Sequence, residues 1–67
     1  MALTQHEIDK AASECILTMW ARDHIDTAHA KRALLVRNYD IDFRQPDNGA
    51  TMSACYIPTG QSEELTV

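Results

Sequence analysis

The chain has 67 residues, 45% of them hydrophobic, and a formal net charge of −4 from 6 Lys and Arg against 10 Asp and Glu. So short a chain supports one small core, which excludes enzymes built on a cleft between domains, and nine of the apolar residues are alanines, so the core is thin. No apolar run approaches the roughly 18 residues of a membrane helix, and the start lacks a basic-then-apolar leader, so a cytoplasmic protein is expected with no membrane contact.

The first expected element is a helix near residues 5–21. Thr4 and Glu7 have the spacing of a capping box, in which each side chain satisfies a backbone N–H at the helix start. Ile8, Ala11, Ala12, Cys15, Ile16 and Met19 recur at three- and four-residue steps and predict the buried stripe, widened by Trp20. Gln5, Asp9, Lys10, Ser13, Glu14 and Thr18 are expected on the wet face.

Asp26 or Thr27 is suited to cap a second helix, about Ala28 to Arg37, with Ala30, Ala33, Leu34 and Val36 turned inward. Its periodicity is weaker, and Ala33-Leu34-Leu35-Val36 also reads as the start of a strand. From Tyr39 the period becomes two, with Tyr39, Ile41 and Phe43 alternating with Asp40, Asp42 and Arg44, the pattern of a half-buried strand. Pro46-Asp47-Asn48-Gly49 supplies turn residues, so a hairpin follows. The expected register sets Arg44 against Thr51, Phe43 against Met52, Ile41 against Ala54 and Tyr39 against Tyr56, with Asp42–Ser53 and Asp40–Cys55 on the other side. Pro58 ends the second strand. Residues 59–67 are expected to be a flexible tail, with a short strand at Leu65-Thr66-Val67 as the alternative.

The fold class is therefore α+β: two N-terminal helices followed by an antiparallel hairpin packed on them, as one domain over 1–67 with an ordered core at 4–58. An isolated ribbon is marginal in water, so its Tyr39, Ile41, Phe43, Met52, Ala54 and Tyr56 side must lie on Ile8, Ala12, Cys15, Ile16 and Met19 of the first helix. The open edge of the hairpin offers a route to a homodimer that completes the thin core.

Chemistry is hard to assemble from these residues. Asp23, His24, Asp26 and His29 are potential zinc ligands, but the histidines are five apart and share no helix face, so a polar capping loop is expected and no metal. His6, Glu7 and Asp9 sit where acidic residues favour the positive end of a helix. Cys15 and Cys55 match no metal doublet, and both are expected to be reduced, Cys15 buried. No catalytic residue and no cofactor is predicted.

Charge is segregated. Residues 1–20 carry −2, residues 21–38 carry +2 and residues 39–67 carry −4, which sum to the total. Asp40, Asp42, Arg44 and Asp47 are the candidate contact for a protein partner, and the expected function is a small acidic non-enzymatic binding module, an adaptor or an inhibitor of the kind phages and mobile elements encode, masking a host protein's surface. The alternative is a small winged-helix-like DNA-binding regulator holding phosphates through Arg22, Lys31, Arg32 and Arg37; the net charge disfavours nucleic acid.

Overall fold

A computed structural model describes residues 2–45 and 50–67. Helix α1 spans Gln5–Ala21 and helix α2 Thr27–Val36; strands β1 (Tyr39–Asp40), β2 (Thr51–Tyr56) and β3 (Gln61–Thr66) form one antiparallel sheet in the order β1-β2-β3. The helices lie together on one side of the sheet, α1 against α2 and β3, α2 against β1. The α+β architecture is that expected. Among the described residues no helix is long and apolar enough to cross a membrane.

Both helices start and stop for local reasons. At α1 the Thr4 hydroxyl accepts from the Glu7 N–H at 3.1 Å and Glu7 accepts from the Thr4 N–H at 3.2 Å, completing the capping box. Asp26 caps α2, accepting the His29 N–H at 2.7 Å. α1 ends in a Schellman motif, with the His24 N–H on the Met19 carbonyl and the Asp23 N–H on the Trp20 carbonyl. Asp23 (φ 60°) and Asn38 (φ 68°) take the left-handed positions after the two helices, where glycine is usual. Residues 33–36 are helical, not the start of a strand.

The sidedness of the ribbon is as expected: Tyr39, Ile41, Met52, Ala54 and Tyr56 are buried with Leu17, Leu34 and Leu65, and Phe43 packs at the margin, 5.0 Å centroid to centroid from Trp20. The pairs Tyr39–Tyr56 and Asp40–Cys55 form in the expected register. The remaining expected pairs do not, because β1 stops at Asp40. The Asp42 carboxylate accepts the Arg44 N–H at 3.0 Å and the Asp42 carbonyl the Gln45 N–H at 3.3 Å, so the chain turns at Asp42. Gln45 Nε2 then donates to the Ser53 carbonyl at 2.9 Å in place of a strand partner. The expected turn at Pro46–Gly49 lies outside the described residues.

Four expectations are corrected. Residues 61–66 are not a loose tail but β3, paired with β2 from Tyr56–Gln61 to Thr51–Thr66 and burying Leu65. The inner face of α1 is Asp9, Ser13 and Leu17, with Ile16 and Trp20 alongside; Ile8, Cys15 and Met19, expected inside, are exposed. Helix α2 buries Ala30 and Leu34, but Val36 is exposed. Both cysteines are free and exposed, so the expected burial of Cys15 is also wrong.

Candidate functional site

Three carboxylates tie α1 to the sheet: Asp9, Glu63 and, at the edge of β3, Glu14. Asp9, only 1% exposed, accepts three donors: Gln5 Nε2 at 3.0 Å, Asn38 Nδ2 at 3.1 Å and the Tyr56 hydroxyl at 2.8 Å. The Asn38 amide holds the Asp9 carboxyl below its ordinary range against the opposing effect of burial, with Tyr56 and Gln5 adding to it. One turn earlier, His6 Nε2 lies 2.7 Å from Glu63 Oε2, and the Tyr39 hydroxyl donates to Glu63 Oε1 at 2.9 Å. Burial pushes Glu63 up, but the hydrogen bonds from His6 and Tyr39 outweigh it and leave the carboxyl low. The His6 ring stacks on Tyr56 at 4.1 Å, and Tyr56 leans on Tyr39 at 4.9 Å, so the two clusters share one wall. Burial first, and Glu63 second, raise the Tyr39 hydroxyl above its usual value; burial and Asp9 do the same for Tyr56.

The oxygens of Asp9 and Glu63 are engaged by fixed donors, Gln5, Asn38 and Tyr56 on the first and His6 and Tyr39 on the second. The network is a polar clasp between α1 and the sheet, buried at Asp9, Tyr39 and Tyr56 and open to solvent at His6, whose side chain is 44% exposed. Beside it Ser13 Oγ is buried with no hydrogen-bond partner among the described residues. Asp9 and Ser13, expected on the wet face of α1, are buried; the signal for their burial is their spacing with Leu17, which continues the same four-residue ridge.

Of the expected contact residues, Asp40, Asp42 and Arg44 do meet. With Ile41 and Lys31 of α2 they line an open hollow of about 390 Å³. Arg44 donates to Asp42 through its guanidinium (3.0 Å) and its backbone, which holds the Asp42 carboxyl low, Lys31 adding its charge. Both side chains are mostly exposed, so the pair adds little stability. Asp47 lies outside the described residues. The alternative set, Arg22, Lys31, Arg32 and Arg37, is exposed throughout, but Lys31 faces the Asp40–Asp42 stretch, so basic and acidic surfaces meet at the hollow. Asp23, His24, Asp26 and His29 form no metal-holding group, and none exists among the described residues.

The helices leave the other side of the sheet bare. Asp40, Cys55 and Ser62 form one row across its three strands, and Ser53 and Glu64 a second, all exposed. Ser53 Oγ donates to Glu64 Oε1 at 3.0 Å. Residues 51–67 contain no Lys, Arg or His, so β2 and β3 bring no cation to this face; at its β1 side Asp40 shares the hollow with Lys31 and Arg44, and Ile57, just past β2, is 50% exposed. At the outer edge of β3 the Glu14 carboxylate accepts the Thr66 N–H at 2.8 Å; of the hairpin edges expected to be open to a second copy, that of β2 is paired with β3.

No family model, curated protein or solved structure matches this chain.

Proposed function

We propose that this protein is a small acidic binding module that masks a basic patch on another protein, acting by steric cover and charge and not by chemistry. The observation that carries this reading is the bare sheet face. It is formed by Asp40, Ser53, Cys55, Ser62 and Glu64, with no large side chain among them to hold a partner away and no cation from β2 or β3; Lys31 and Arg44 flank Asp40 at one margin. The contact centres on Asp40 and Glu64 and not on Asp42, which Arg44 already neutralises. A role as adaptor or as an inhibitor from a phage or mobile element fits this reading.

The test is affinity capture from a lysate with the wild-type chain, Asp40→Lys/Glu64→Lys and the control Asp42→Asn. A stoichiometric protein partner kept by the control and lost by the double reversal is the expected result; a partner profile indifferent to the reversal sinks the reading. The DNA-binding alternative draws on the exposed Arg22, Arg32 and Arg37. It is tested by gel shift at low salt, where failure to retain random duplex at about 100 µM protein removes it.

A further inference from the structure

α1 turns polar residues inward and leaves an apolar stripe outside. Asp9 and Ser13 are buried against the sheet, whereas Ile8 is 39% and Met19 42% exposed and Cys15 is exposed between them. At 3.6 residues per turn, Ile8, Cys15 and Met19 lie within about 40° of one another, and Ala11 and Ala12 fill the sides. Ala11, Cys15 and Met19 form one four-residue ridge. No charge interrupts it: Glu7 stands one step before it and the cap residue Arg22 just past it.

That order of groups selects the occupant. A parallel copy would set Glu7 beside Glu7 and Arg22 beside Arg22. An antiparallel copy, its two-fold axis near Cys15, sets Ala11 of each chain against Met19 of the other, small against large, and Ile8 against the stem of Arg22, whose guanidinium is then one residue from Glu7, with Asp23 past the helix end at the same level. We infer that the exposed Ile8-Ala11-Cys15-Met19 stripe of α1 is a self-association surface, packing antiparallel on the same stripe of a second copy. The 17-residue helix is only about 25 Å long, and a single helix pair covers less than the roughly 800 Å² per partner of a stable interface. The dimer is therefore weak and reversible. It uses neither the sheet face nor the β3 edge, and so stands apart from the proposed partner contact.

Sedimentation equilibrium of the full chain in reductant, from about 10 µM to about 1 mM, reads this directly. The mass should climb from 7.5 kDa toward twice that value. Met19→Lys and Ile8→Lys, both at exposed positions and checked for native circular dichroism, should raise the dissociation constant about tenfold or more, as should Arg22→Glu by setting like charges together. On a Cys55→Ser chain a short bismaleimide should link Cys15 to Cys15, and Asp40→Lys/Glu64→Lys should leave the mass curve unchanged. A mass fixed at the monomer value across the range overturns the inference. So does a dimer indifferent to Met19→Lys and Ile8→Lys, which would be using another surface, or one indifferent to Arg22→Glu, which would not be antiparallel.

Discussion

Asp9 shows how a residue can defeat a reading by polarity. Its position in the first turns of α1 is explained by helix electrostatics alone, yet its side chain is buried because Asn38, Tyr56 and Gln5 supply the donors that replace water. Those partners lie 29, 47 and 4 positions away, and no local pattern announces the first two. The clasp should show in the pH dependence of stability. Asp9 and Glu63 have lowered folded-state pKa values, so they contribute stability above the ordinary carboxylate range of about 4, and it is lost as pH falls through and below that range. Tyr39 and Tyr56 have raised values, so their contribution is complete below about 10 and lost as pH rises beyond it. Urea midpoints measured across pH should fall at both ends, with the acid limb flattened in Asp9→Asn/Glu63→Gln and the alkaline limb flattened in Tyr56→Phe. Unchanged limbs would show that the clasp is not felt by stability.

For the elements, legibility followed periodicity. The α1 capping box, the inward side of the ribbon and the Tyr39–Tyr56 register were readable because spacing alone dictates them. The face of α1 was not, since the helix carries two stripes and the more apolar one is outside. Strand β3 was hidden by Gln61-Ser62-Glu63-Glu64, which offers no alternation; Glu63 faces inward as a clasp residue and only Leu65 is a buried hydrophobe there. The end of β1 was missed because a strand of alternating Asp and apolar residues conceals that one Asp side chain can bond its own backbone two residues on. The proposed contact surface fared likewise: Asp40 is exposed as read, whereas the place of Glu64 beside Ser53 follows only from β3. Helix orientation has a direct test. Leu17→Ala should cost about 2–5 kcal/mol in chemical denaturation, and Ile16→Ala, at the margin of the core, clearly less. Equal losses, or the reverse order, would put the helix the other way round.

At the scale of the molecule, the sheet divides two kinds of surface, a core side closed by helices and a bare carboxylate side, while the cations gather toward α2 and its ends. The ties that hold α1 in place span long stretches of sequence: 57 positions for His6–Glu63, 52 for Thr66–Glu14 and 47 for Tyr56–Asp9. Such closures cost chain entropy before they return anything, and contacts of this range tend to mature after the folding barrier. Stopped-flow measurements on Tyr56→Phe and Glu63→Gln should accordingly show faster unfolding with refolding rates little altered. A ribosome releases α1 before Gln61, so during synthesis the helix is for a time without the strand that receives it, with Leu17 and the clasp residues His6 and Asp9 in water until β3 arrives.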